Sequence, residues 1–413
     1  MREADLERQL NTRRTGRAFI ALLGIASALS AFGMASVVPA LPLLVRSLQA
    51  DYAAVQFVVS AYLFGLGLFQ PVQGLLSDRY GRRPVLLAGY SLFLIASLAA
   101  SLATDISMVI VARFFQAMGV SVATVVTRAI VRDSFEPGPA ATALSFITAV
   151  MGVAPVLAPL VGGLASEAAG WRGIFWLHAA VAACVLALLA SQLRETRPAN
   201  GEPMRFGELL RGARVLLGER GFMGHSLTYS SVSAGGFIFI TIGAALYEKL
   251  FALSSSEFGA LWSGLAISYV IGATAAGHLS RRRGVWQTTR IGLVCNLVAT
   301  SLFIVAAFIS VPSLSLYSGS LGLMMVANGI LSPVSLAGAV EDNPQLAGVA
   351  AGLSSSIAML LSMVSAILTG VLYDGTARWC AGLMAIACVV CWWAANLAHR
   401  ARLARTAFAA TTR

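Results

Sequence analysis

One charged side chain stands where a charge is least expected: Arg113, the only ionised group in an otherwise uncharged stretch between Asp105 and Arg128. A guanidinium deep in lipid is costly and turns toward a bundle interior or a wet cavity. There it can tie helices together by hydrogen bonds, or polarise a cavity, take part in proton exchange and contact a substrate. A second chemically loaded stretch is Gly74-x-Leu76-x-Asp78-Arg79-x-Gly81-Arg82-Arg83. Its glycines permit a tight reversal and close helix approach, and Asp78 and Arg82 can pair or cap helix ends. Gly74, Asp78, Arg79, Gly81 and Arg82 read as a switch that can latch one conformational state, whereas Arg83 reads as a membrane-face anchor. The pair Cys388 and Cys391 has metal-site spacing but no second pair and no histidine to complete four ligands, so all five cysteines (Cys184, Cys295, Cys380, Cys388, Cys391) read as buried thiols. No metal and no cofactor is expected. His178 and His278, near the ends of apolar runs, read as packing or interface residues.

The elements that position these residues follow from where charge is missing. Only 47 of 413 residues are charged, 29 basic and 18 acidic, and 58% are apolar. That excludes a soluble enzyme, a disordered chain and a secreted disulfide scaffold. Nine uncharged runs are each long enough for a membrane-spanning helix: 18–45, 52–77, 84–104, 137–166, 173–193, 221–247, 258–280, 343–373 and 379–399. The run 291–340 is broken at Ser310-Val311-Pro312-Ser313 and makes two, and the Arg113 stretch makes the twelfth. Reading the first run as a retained helix with the N-terminus in the cytoplasm places 24 of the 29 basic residues inside, which puts both termini there. The net charge of +11 is this bias, spread over alternate loops, and not a nucleic-acid-binding face.

The longest polar stretch, from Arg194 to Arg220, separates six spans from six and carries an amphipathic segment around 206–217. The expected layout is a cytoplasmic tail (1–17), a six-helix bundle (18–193), a cytoplasmic linker (194–220), a second bundle (221–399) and a cytoplasmic tail (400–413). Gly74-Leu75-Leu76-Ser77-Asp78-Arg79-Tyr80-Gly81 and Gly277-His278-Leu279-Ser280-Arg281-Arg282-Arg283-Gly284 agree at Gly, Leu, Ser, Arg and Gly, 203 residues apart. Both lie between the second and third spans of their half, the mark of a duplication. The fold class is therefore an all-α membrane protein of twelve helices in two pseudo-symmetric bundles. Parallel repeats of this kind put a substrate site near the midplane between the halves. Polar and aromatic candidates there are Tyr62, Gln116, Tyr229, Trp262, Tyr269 and Asn328, any of which can instead be core packing or an interhelical hydrogen bond.

The glycine, acid and arginine pattern of the 74–83 loop resembles the signature of the major facilitator superfamily, and the likeness covers nearly the whole chain. Arg113-Phe114-Phe115-Gln116-Ala117-Met118-Gly119 is similar to that family's fourth-helix motif. The fifth span, Gly152-Val153-Ala154-Pro155-Val156-Leu157-Ala158-Pro159-Leu160-Val161-Gly162-Gly163, resembles the antiporter motif of the bicyclomycin and chloramphenicol resistance branch of drug:proton antiporters. The resemblance implies a major facilitator fold and export by alternating access with protons moving inward. Pro155 and Pro159 would kink the fifth helix, and Gly162 and Gly163 would let a neighbour approach, as in a hinge or seal. The chain departs from the branch at Ala35, where a first-helix acid before Pro39 and Pro42 is expected. Asp78, Glu341, Asp342, Glu248 and Glu257 are then the nearest proton-site candidates. Without a fixed acid the cavity leans toward neutral or anionic cargo.

The leading expectation is a small-molecule exporter in a bacterial inner membrane, the genome inferred from 28 arginines to one lysine, working as a monomer with protons as coupling ion. A second is a transporter of the same fold that moves an endogenous metabolite, siderophore or nutrient. A membrane-embedded enzyme is disfavoured, because only Arg113 could serve intramembrane chemistry and no phosphate-binding glycine and lysine loop is present.

Overall fold

The computed structural model describes residues 16–196 and 206–411. The expected tail up to residue 15 and the linker segment 197–205 lie outside the described residues, as do 412–413. Every regular element among the described residues is helical. Lipid offers backbone groups no partner, so an apolar run must satisfy its own N–H and C=O groups, and a helix does so.

The first span runs Arg17–Ala35, tightens into a 3-10 turn at Val38–Ala40 and resumes as Leu41–Leu48. Pro39 and Pro42, which lack the N–H a continuous helix needs, sit at this break. The second to fourth spans are Tyr52–Tyr80, Arg82–Ser101 and Ile106–Ser134. The fifth and sixth, expected at 137–166 and 173–193, form one helical stretch, Pro137–Gln192, interrupted only at Ala169 and Gly170. Gly170 has φ 64°, a left-handed conformation that suits glycine, so a two-residue break separates the two spans within the gap between the expected runs. A separate helix, Phe206–Gly218, lies in the linker. The seventh to tenth spans are Arg220–Phe251, Ser255–Arg283, Val285–Phe308 and Leu314–Glu341, with the turn at 310–313 where the sequence placed it. The eleventh, Ala347–Leu372, follows a 3-10 turn, Pro344–Leu346, and the twelfth is Arg378–Thr411. With the long helix divided at its break, twelve apolar helices among the described residues are long enough to cross a membrane.

Local chemistry starts several of them. The Asp105 carboxylate accepts the Met108 N–H at 3.0 Å, and Ser254 and Glu257 form a reciprocal capping box at the start of the eighth span.

The packing repeats. The second and third spans lie against the fourth, and the eighth and ninth lie against the tenth. Two pairings dominate the contact between the halves: the helix 137–192 against the eighth span, and the second span against the eleventh. Helices two and five of each half thus meet helices five and two of the other, the exchange expected of a pseudo-two-fold axis between parallel repeats.

Candidate functional site

Arg113 is completely buried. Its Nη1 donates to the Gly33 carbonyl at 2.9 Å and to Gln116 Oε1 at 3.1 Å, and its Nε donates to the Val58 carbonyl at 3.3 Å. The guanidinium lies over the Tyr62 ring, 3.9 Å from the centroid. No carboxylate among the described residues takes part, so carbonyl dipoles, the π-face and the Met34 thioether, 3.9 Å from Nη2, face the buried cation, which a guanidinium with its five donors can exploit. The bonds reach the first, second and fourth spans and tie them into one block. Two further candidates are used up here. Tyr62 donates to the Ser30 carbonyl at 2.9 Å, and Gln116 Nε2 donates to Ser97 Oγ at 2.7 Å.

Beside Ala35, where an acid was expected, Ser36 Oγ lies 2.7 Å from His178 Nε2 and links the first span to the sixth. His178 is fully buried against Phe32, Phe93 and Phe175. The packing role expected of this histidine is the one its surroundings supply.

The loop between the second and third spans turns at Gly81, with φ 98°. Glu195 caps the helix that follows, accepting the Arg82 N–H at 2.8 Å and the Arg83 N–H at 3.1 Å. The Arg82 side chain pairs with Asp78, with Asp133 at 3.0 Å and with Ser77 Oγ at 2.8 Å. Each of these partners belongs to the first half, so the Arg82 side chain braces the second, third and fourth spans. Asp133 and Glu195 were not singled out from sequence; each reads as one more loop charge until the fold brings it to Arg82.

The halves close on one another at the ends of the helices far from the termini. In the fifth span, Gly163 lies against the backbone of Ser255 and Ser256 in the second half, while its neighbour Gly162 lies against the Ser36 backbone within the first half. Gly259 of the eighth span returns the contact at the Pro159 carbonyl. Side chains at these positions would keep the backbones apart, so the small residues make the seal. Pro155 lies in the same helix, one turn before Pro159. Around this seal Arg46 pairs with Glu248, the Tyr52 hydroxyl donates to the Thr241 carbonyl at 3.0 Å, and the Ser256 N–H donates to Glu167 at 2.9 Å. The Ser256 amide, helped by the Ser254 and Ser256 hydroxyls, holds the exposed Glu167 carboxyl below its ordinary value. A cavity of about 290 Å³ between the halves is lined by Arg46, Glu167 and Glu248, among others.

The second half supplies the remaining candidates. Trp262 is buried in a stack with Phe239 and Phe258, at centroid separations of 5.4 and 6.4 Å. Asn328 donates to the Val232 carbonyl at 3.3 Å and accepts from Ser332 Oγ at 2.8 Å. Tyr229 is half-buried, and Tyr269 is 37% exposed midway along the eighth span. Of the proton-site candidates, Asp78 is held by Arg82, Asp342 by Arg405 at 3.1 Å, Glu248 by Arg46, and Glu257 by its capping box, while Glu341 is exposed at the end of the tenth span.

Among the described residues, twelve apolar helices form two halves that meet at one end across a seal of glycines, and the family match and relatives make this a membrane transporter rather than an enzyme. Residues 23–366 match the model of the Major Facilitator Superfamily, and the chain belongs to that family. It is 31% identical to multidrug resistance protein D of Escherichia coli (strain K12) over 86% of this chain and 90% of that protein. It is 25% identical to a bicyclomycin resistance protein homolog of Haemophilus influenzae, over 84% of this chain and 87% of the relative. The resemblance read from the 74–83 loop and the fifth span therefore holds. Among solved structures, a bacterial homolog of the human lysosomal transporter Spinster superposes with a TM-score of 0.74 at 18% identity, covering 93% of this chain and 96% of that one. At that identity it shows the fold alone.

Proposed function

We propose that this protein exports a small toxic organic molecule from the cytoplasm across a bacterial inner membrane by alternating access, with protons moving inward, and that it does so as a monomer with both termini cytoplasmic. The observation that carries this reading is the asymmetric closure of the halves: Gly163 and Gly259 seal the end away from the termini, the end that faces outward in this topology. The names of the relatives, multidrug resistance and bicyclomycin resistance, support export of a drug-like cargo.

In this reading the domain boundaries are those of the sequence, with bundles at 18–193 and 221–399 hinged about the 194–220 linker. Arg113 serves as the tie that lets the first bundle turn as one body. The Gly74, Asp78, Arg79, Gly81 and Arg82 loop is the switch that engages the second bundle only when the outer end opens. Pro159 and Gly163 form the outer seal, with Pro155 bending the same helix and Gly162 holding it against the first span. Tyr229, Tyr269 and Asn328 are the cargo contacts, and Tyr62, Gln116 and Trp262 stiffen the walls behind them. The absence of an acid at Ala35 favours a second reading, release of an endogenous metabolite by the same cycle.

Expression in an efflux-deficient bacterium, with growth scored against a toxin panel, tests the proposal. Wild type protects against at least one compound, and Arg113→Ala and Asp78→Asn lose that protection at equal membrane abundance. Equal growth of all three strains and the empty vector on every compound removes the export reading. In proteoliposomes, cargo flux indifferent to an imposed pH difference removes the proton step.

A further inference from the structure

The cavity at the outer seal is built by both halves. Pro42, Arg46 and Glu167 of the first half face Glu248, Leu253 and Phe258 of the second across about 290 Å³. Clefts begin to take small organic ligands at roughly 300 Å³, so this one is large enough for a single aromatic ring with a short side chain. Arg46 and Glu167 are exposed at its rim, so it opens on the side away from the termini, while buried Pro42 and Phe258 give it an apolar floor. Cargo in the proposed cycle enters from the opposite end.

The charges that line it do not balance. Arg46 is the one cation in the lining, and it pairs with Glu248. Glu167 is left with neutral donors, the nearest being the Ser256 N–H at 2.9 Å. The other basic residues at the outer ends are engaged elsewhere. Lys249 donates to the Gly375 carbonyl at 2.9 Å, Arg172 donates to the Ala103 carbonyl at 2.7 Å and lies over the Trp171 ring, and Arg378 lies over the Phe308 ring. Among the described residues no cation pairs with Glu167. One carboxylate in excess, beside an apolar floor, is complementary to a cation on an apolar stem: an ammonium donates to Glu167 and the stem rests on Pro42, Leu253 and Phe258. Because each half supplies part of the wall, the cavity exists only while the outer ends are together. An occupant therefore stabilises that state alone, by about 100-fold when its concentration is 100 times Kd.

We infer that this cavity is a regulatory site for an organic ammonium group presented from the outer side, and that its occupancy holds the outer seal shut and slows export without competing for the cargo site. This rests on the transporter reading and its topology, and not on the identity of the cargo.

The test uses three ligands of matched shape: 2-phenylethylammonium, neutral 2-phenylethanol and the phenylacetate anion. Equilibrium dialysis against the purified full chain in a maltoside detergent measures binding. The wild type holds the ammonium at least tenfold more tightly than either of the others. Glu167→Gln, which can still accept the Ser256 N–H, loses at least fivefold in ammonium affinity and leaves the alcohol unchanged. Arg46→Gln releases Glu248 and raises ammonium affinity. Leu253→Trp fills the cavity and removes binding of ammonium and alcohol alike, and unchanged thermal midpoints for these variants separate lost recognition from lost folding. Displacement of the ammonium by added phosphatidylethanolamine assigns the group to a lipid headgroup, and no displacement assigns it to a soluble amine. In proteoliposomes, saturating ammonium on the outer side lowers the maximal export rate of a toxin-panel compound at least twofold without changing its half-saturating concentration, and Glu167→Gln escapes. Equal binding of ammonium and alcohol by the wild type, normal ammonium binding by Glu167→Gln, or inhibition relieved by more cargo overturns the inference. If no panel compound is exported, the export reading falls on its own, and the dialysis still decides whether the site exists.

Discussion

Adjacent glycines in the fifth span give opposite tests of the outer seal. A methyl group added at Gly163 would lie 2.5 Å from the Ser255 carbonyl oxygen and 2.8 Å from Ser256 Cα, atoms of the opposite half. Both are backbone atoms, so no side chain can rotate away and the halves must separate. Overpacking of this kind costs about 1–3 kcal/mol. The cost falls only on the state in which the outer ends touch, so Gly163→Ala shifts the equilibrium toward the outward-open state by about 5- to 150-fold. At Gly162 the methyl instead meets Ser36, in the same half, which stays together in both states. Gly162→Ala therefore lowers thermal stability without changing the balance of states, and Gly152→Ala, with nothing near its Cβ, does neither. Double electron–electron resonance between nitroxides on Asp51→Cys and Ala252→Cys, both exposed at the outer ends, reads the opening once the five native cysteines are replaced. A 51–252 distance distribution in Gly163→Ala identical to that of the parent, at unchanged stability, would refute the close-approach argument.

The Arg46–Glu248 pair guards the same seal, but its side chains are 59% and 37% exposed, so Arg46→Gln opens the outer end by at most about 1 kcal/mol, less than Gly163→Ala. The same distance measurement ranks the two, and a larger effect from Arg46→Gln contradicts the ranking. Arg82→Ala leaves Asp133, whose side chain is only 9% exposed, without its cation, and lowers stability by about 3 kcal/mol. Asp78→Asn costs less because Asp78 is 31% exposed, and unfolding in detergent compares them. The depressed Glu167 carboxyl contributes to closure above its ordinary value of about 4.3, and that contribution is lost only as pH falls through the lower folded value. The 51–252 distance should therefore stay constant as the outer medium goes from about pH 7.5 to about pH 5. A transition in that window that disappears in Glu167→Gln would contradict the assignment.

The fold was legible because lipid leaves so few choices. A charge-free run of sufficient length must become a helix, and the gaps between runs must be its ends. Even the turn at 310–313 followed from Ser-Val-Pro-Ser. The gap left between the fifth and sixth spans, 167–172, holds the break at Ala169 and Gly170, where one glycine at positive φ is enough to turn one helix into the next. The seal was half visible, since glycines announce close approach without naming the partner.

Partners across long sequence distances were the part no local pattern could supply. Asp133, Glu195 and Glu248 look alike as single acids in basic loops. Folding makes the first a brace for Arg82, the second a helix cap and the third a bridge between halves. Arg113 shows the same division. Its type and its isolation among apolar residues announced a buried charge, but the acceptors that satisfy it, carbonyls at Gly33 and Val58 and the face of Tyr62, come from helices 80 and about 50 residues away. Hydrophobic length is written along one dimension and so can be read there. The pairing of charges depends on which helices touch, and that is settled only when the two bundles pack.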